Sequence, residues 1–225
     1  ILFGGAVLSY VSQGITFSLS NYLYIFVWRF SQEAFAIYPF ILMISVFGAF
    51  FLVTPLVRHF GKKMTAIATG ITGMLFWITP FLLNLAGVWP ESGSQLSTSL
   101  VFGFAFFSNA FSVTAMITAQ SMVADLVEAS EIKTGKRAEG VFSAGWFFVQ
   151  KCGVGLGIMA SGLIVHWSGL PARADPATLP RVVVENIMAF YMAAVIILGL
   201  GSAFIFRNFP INRNDHEERL RILAD

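Results

Sequence analysis

A chain of 225 residues that is 56% hydrophobic and only 12% charged lies outside the range of soluble domains, in which about a quarter of residues are charged. Its mean hydropathy of +0.75 comes from apolar runs of about 20 residues, each long enough to cross a hydrocarbon core of about 30 Å. The formal net charge of +2 gives no reason to expect a nucleic-acid partner, so composition defines an all-α membrane protein whose surroundings are membrane lipid.

Six spans are predicted, over residues 2–27, 36–57, 64–85, 98–124, 140–165 and 187–206. They make a six-helix transmembrane bundle over residues 1–207 and leave 208–225 as a cytoplasmic tail, whose alternating acids, bases and leucines suit a surface helix. The chain begins at Ile1 and reads as part of a longer polypeptide. In the first span Ser9, Gln13 and Thr16 share one helical face. That stripe either lines a cavity or hydrogen-bonds to a neighbouring helix. Pro39 and Pro55 bracket the second span, as residues tolerated near helix ends. The basic turn Arg58-His59-Phe60-Gly61-Lys62-Lys63 leads into the third, where Pro80 should introduce a kink. Trp77 and Trp89 suit a membrane–water interface.

The basic residues predict orientation. With the first span running outward, Arg58, Lys62, Lys63, Lys133, Lys136, Arg137, Arg207, Arg213, Arg219 and Arg221 fall on one side, and only Arg29, Arg173 and Arg181 on the other. Positive residues stay inside, which places both ends of this segment in the cytoplasm.

The polar residues between the fourth and fifth spans carry the chemistry. Asp125, Glu128 and Glu131 are three residues apart and share a helix face. Lys62, Lys63, Lys133, Lys136 and Arg137 are natural partners for them. Such pairs form either a gate with two arrangements or a solvated loop whose pairs contribute about a kcal/mol or less each. Lys151 lies eleven residues into the fifth span, counting from Gly140. That is about 16 Å deep, close to the bilayer midplane. An ammonium at that depth marks a functional site facing the protein interior or water, with a carboxylate or carbonyl partner. No intramembrane acid in this chain is available to it, so the partner is expected on helices outside this segment. Gly153, Gly157 and Ser161 follow at the four-residue spacing that admits a close helix neighbour. The single cysteine, Cys152, is expected to pack as a small apolar residue. His59, His166 and His216 are scattered, and no nucleophile–base or metal-ligand set converges. Neither an enzyme nor a metal centre is expected.

The run A-D-L-V-E-A-S-E-I-K-T-G-K-R-A-E-G at 124–140, followed by a lysine in the next span, resembles the glycoside–pentoside–hexuronide:cation symporter family. This is the melibiose-carrier-like branch of the major facilitator superfamily. The R-H-F-G-K-K turn is similar to that family's turn between its eighth and ninth helices, and F-R-N-F-P-I-N-R to its last helix and tail. The resemblance implies that the six spans are the C-terminal half of a twelve-helix carrier. Their partner would be an N-terminal six-helix bundle, on the same polypeptide or a separate chain, that holds the cation-binding acids. It also implies a coupling cation, Na+ or H+, and no other cofactor. By the same resemblance Asp125, Glu128, Glu131, Arg137 and Glu139, with Lys62 and Lys63, belong to a cytoplasmic gate. Lys151 belongs to the cation and substrate site, together with Phe147, Gln150 and Met116.

Sugar-recognising members offer a hydroxyl four residues before the lysine and an indole in the tenth helix, where this chain has Phe147 and Met116. The expected function is cation-coupled symport of a small solute such as a sugar or glycoside, in a bacterial inner membrane. The alternatives are a sodium-dependent carrier of lysolipid or another amphipathic solute, and a half-carrier subunit that does not transport.

Overall fold

The computed structural model describes residues 1–208 apart from Arg137, Ala172 and Ala177. Helix α1 (Leu2–Tyr22) continues into a π-helical turn at Leu23–Val27, followed by α2 (Gln32–Leu85), α3 (Gln95–Thr134), α4 (Glu139–Ser168) and α5 (Arg181–Arg207). Local chemistry sets these boundaries. Ser31 and Ser94 cap α2 and α3, their hydroxyls each accepting a backbone N–H from three residues on at 3.2 Å. Gly135 and Gly169 end α3 and α4 in the left-handed conformation, which costs glycine least.

All five helices are long and apolar enough to cross a membrane. Helix α2 crosses it twice. A straight helix of its 54 residues would run about 81 Å and put Tyr38 about 65 Å from Phe81. Instead both side chains pack in one apolar cluster with Trp28 and Phe30. The reversal is at Gly61, whose backbone (φ 76°, ψ 162°) is the one non-helical point in α2. The first arm, 32–60, and the second, 62–85, are therefore antiparallel. Dihedral angles stay helical through Pro39, Pro55 and Pro80. Neither Pro39 nor Pro55 is a terminus, because the first arm begins at Gln32 and ends at the glycine. Neighbouring helices compensate for the lost backbone donors in such helices.

Helix α3 lies between the two arms. The Asn109 amide donates to Leu42 O at 3.2 Å and Ser45 Oγ at 2.6 Å on the first arm, and Ser108 Oγ donates to Gly73 O at 2.8 Å on the second. At 40 residues α3 is about 60 Å long, so it outruns the hydrocarbon core at the end bearing Asp125 to Thr134.

The bundle has two differently built ends. At the aromatic end, Tyr24 stacks on Phe30 (5.3 Å, 7°), Trp28 packs on Phe81 (4.9 Å) and Trp89 (5.5 Å), and Phe30 meets Phe102 edge-on (5.6 Å). Nearby, Tyr191 is fully buried; its hydroxyl pairs with Thr16 Oγ1 at 3.0 Å and receives the Trp77 indole N–H. The Trp89 indole donates inward to Ser97 Oγ at 2.9 Å. Trp77 and Trp89 are half-buried and turn their indole N–H groups inward, Trp89 from the loop that follows α2. The charged end carries Arg58, Lys62, Lys63, Lys133, Lys136 and Arg207 at helix ends and turns. A smaller cluster lies beneath it, with Leu2, Tyr10, Trp146 and Phe206 at its centre.

Candidate functional site

The site begins with the seam between α1 and α4. Gly153, Gly157 and Ser161 are all buried and lie against α1. A Cβ on Gly157 would come within 2.8 Å of Gly14 Cα, one on Gly14 within 2.9 Å of Val154 Cα, and one on Gly153 within 2.7 Å of Tyr10 Cβ. The backbones touch because these residues have no side chains. A hydroxyl pair, Ser18 to Ser161 at 2.6 Å, fastens the seam further along. The packing role inferred for the Gly153–Gly157–Ser161 row is what the structure shows. Its counterpart Gly14 escaped notice in the sequence, where the only signal was a small residue inside a polar stripe.

That stripe divides. Ser9 Oγ pairs with Ser202 Oγ on α5 at 2.7 Å and Thr16 with Tyr191, whereas Gln13 is exposed. Two of the three residues are interhelical fasteners, and one faces away from the bundle.

With its glycine face locked on α1, α4 turns the opposite face outward. Lys151 is on that face, twelve residues from Glu139, about 18 Å along a helix of about 45 Å. Its side chain is exposed and has no hydrogen bond or ion pair with a described residue. Phe147 and Phe148, one turn back on the same face, are 57% and 70% exposed. Gln150 beside it is half-buried, and Met116, on α3, is exposed. Cys152 is also exposed and does not pack as an apolar residue, because it falls beside the glycine row and not within it. Lys151 thus stands on an exposed face of an apolar helix, away from the seam with α1.

At the charged end the structure brings Lys62 and Asp125 together. Lys62 Nζ donates to Asp125 Oδ1 at 2.6 Å, joining the second arm of α2 to α3. Asp125 is buried at 6% exposure, and Glu128 and Glu131 are half-buried on the same helix. Lys63 is half-buried and Glu139 is exposed at the first turn of α4. Arg137 lies outside the described residues, as does the tail from 209 onward. The acidic run is helix through Thr134, so its spacing does place Asp125, Glu128 and Glu131 on one side. Among the described residues no group of three or more His, Cys, Asp or Glu side chains is placed to hold a metal ion.

The long apolar helices fit half of a membrane-carrier bundle. A family model described as MFS/sugar transport protein matches residues 1–213, so the chain belongs to that melibiose-carrier-like family of transporters. It is 32% identical over 143 residues to an uncharacterized symporter of Synechocystis sp., covering 59% of this chain and 25% of that protein. It is 32% identical over 158 residues to a provisionally named sulfoquinovose importer of Escherichia coli, covering 69% of this chain and 31% of that one. A provisionally named 2,3-dihydroxypropane-1-sulfonate exporter of Salmonella typhimurium is 36% identical over 106 residues, 47% of this chain and 21% of that protein. The matched segment therefore spans a third or less of each of these relatives. No solved structure matches the chain significantly.

Proposed function

We propose that this chain is one half of a carrier that moves a small polyhydroxylated anion, such as a sugar sulfonate, by alternating access against an N-terminal six-helix bundle. The observation that carries the reading is Lys151, an ammonium well inside an apolar spanning helix, exposed and without a partner among the described residues. A sulfonate is a fixed anion that such a cation can hold, and two of the relatives are named for sulfonated solutes.

Electrical work argues for coupling. Bringing one negative charge into a negative compartment costs about 2.3 kcal/mol per 100 mV, and one co-transported Na+ or H+ cancels it. The basic residues gathered at the charged end favour a cytoplasmic location for that end, with both ends of this segment on the cytoplasmic side of a bacterial inner membrane. The Asp125 to Glu139 run, with Lys62 and Lys63, then closes the cytoplasmic side in one state and parts in the other. Phe147 and Phe148 beside the lysine favour a second reading, an amphipathic solute such as a lysolipid.

The test is uptake into vesicles holding the full-length protein. Labelled sugar sulfonate, its neutral parent sugar and a labelled lysolipid are each run with and without a sodium or proton gradient. The sulfonate should be taken up, driven by one of the gradients. Lys151→Ala should reduce uptake about tenfold or more, the loss expected for a charge-assisted hydrogen bond of about 1.5–3 kcal/mol, and Lys151→Arg should restore part of it. Preference for the neutral sugar, or uptake indifferent to Lys151→Ala, would sink the anion reading. No uptake of any solute by inserted protein would instead indicate a half-carrier subunit that does not transport.

A further inference from the structure

The charged end contains a second cationic recess, separate from Lys151. A cleft of about 290 Å³ opens between α2 and α3, at the lower limit of the roughly 300–1,000 Å³ typical of small-molecule sites. Arg58, Lys62, Thr54 and Ser121 supply its polar lining, and Val57 and Ile117 belong to its apolar wall. No acidic side chain lines it among the described residues. Arg58 carries a planar fork of five donors, part of which already takes part in another contact, and Lys62 a compact point charge. The hydroxyls of Thr54 and Ser121 are engaged by no described residue. Such a lining selects a tetrahedral oxyanion over a neutral ligand.

Lys62 also connects this cleft to the ion pair behind it. Its side chain keeps 28% exposure and forms part of the cleft wall, while its ammonium reaches Asp125 at 2.6 Å, where the carboxylate side chain is only 8% exposed. An ammonium has three donors, so a ligand in the cleft can share it and then draw it away. We propose that the Arg58–Lys62 cleft binds an oxyanion, phosphate or sulfonate, in competition with Asp125 for Lys62. Such an anion would weaken the link between α2 and α3, favouring whichever conformation has that link open. The group can come from an anionic phospholipid, for which basic pockets between membrane helices are suited, or from a small solute anion.

The experiment titrates full-length protein in neutral detergent with inorganic phosphate, glycerol 3-phosphate and short-chain phosphatidylglycerol. Ionic strength is fixed with chloride, and heat is read by isothermal titration. All proteins carry Lys151→Ala, so the mid-membrane lysine cannot be the acceptor and failure here leaves the transport reading untouched. Saturable binding that chloride does not reproduce is expected, weakened tenfold or more by Arg58→Gln and by Lys62→Gln. Asp125→Asn should tighten it several-fold, because the competing carboxylate is gone; a purely structural aspartate would not do so. Phosphatidylglycerol binding at least tenfold tighter than glycerol 3-phosphate assigns the site to lipid, and equal binding assigns it to solute. Absence of saturable binding by all three probes overturns the proposal. So does binding unchanged by Arg58→Gln, or not tightened by Asp125→Asn.

Discussion

At the aromatic end, rings from the π-helical turn, the loops on either side of α2, α2 itself and α3 meet at centroid distances of 4.9–5.6 Å, and Phe81 reaches Tyr191 of α5 at 5.5 Å. At the charged end, the second arm of α2 and α3 are joined by a 2.6 Å ion pair with one partner still 28% exposed. The first arrangement draws on dispersion and desolvation, with about 0.5–1.5 kcal/mol per ring pair beyond area burial, and salt does not reach it. The second rests on Coulomb attraction between a buried carboxylate and an ammonium partly open to water, which salt weakens. A device that must open repeatedly needs a small, tunable energy difference between its states. The molecule places the weak closure at one end and the strong one at the other.

That contrast can be broken from either side. Trp28→Ala should cost about 3–5 kcal/mol, the range for large aromatic truncations, and lower the unfolding temperature equally at low and high salt. A loss that salt changed would contradict a purely apolar closure. Gly157→Ala strikes the seam common to both ends. Its Cβ would meet the α1 backbone at Gly14 within 2.8 Å, and overpacking by about 3 kcal/mol should appear as lost folded protein in detergent extracts. Normal yield and mobility would show that α1 and α4 can separate without harm.

Tyr191→Phe leaves Thr16 and the Trp77 indole without their shared partner. It should cost about 1–2 kcal/mol in reversible unfolding with no salt dependence. The smallest effect belongs to the charged end. Asp125→Asn should cost about 1 kcal/mol or less at low salt, a difference that vanishes near 1 M salt. In a Cys152→Ser background it should also speed maleimide labelling of a cysteine placed at Ser121. Unaltered labelling would show that the ion pair does not control access to that end.

The sequence made the membrane crossings legible because their polar interruptions are sharp. The R-H-F-G-K-K turn marks the reversal inside α2, since a basic run around a glycine cannot remain in hydrocarbon. The Lys62–Asp125 pair could be nominated but not selected, because Lys63, Lys133 and Lys136 were equally good partners by spacing. The inward-facing indoles were not legible. In helices apolar all round, periodicity cannot separate the lipid face from the packed face, so the hydrogen-bond partners of the indoles could not be read from it. Gly14 was hidden for a related reason: its role exists only opposite Gly157, and no local pattern pairs residues on two distant helices. Lys151 was conspicuous as a lone charge in an apolar run, yet only the structure shows that the glycine row directs it away from its own bundle.

The length of α3 has a mechanical consequence. Phe102 is packed on Phe30 and Tyr38 at the aromatic end, while Asp125 is 23 residues further along the same uninterrupted helix, about 35 Å away. If the charged end opens as proposed, this helix can act as a lever with its fulcrum among the rings. A tilt of only about 5° there sweeps the far carboxylate through about 3 Å, more than enough to part it from an ammonium, while the ring contacts near the pivot shift by a few tenths of an ångström. In the proposed carrier, strong packing near the pivot and an ion pair at the tip would let such a rod swing without coming loose.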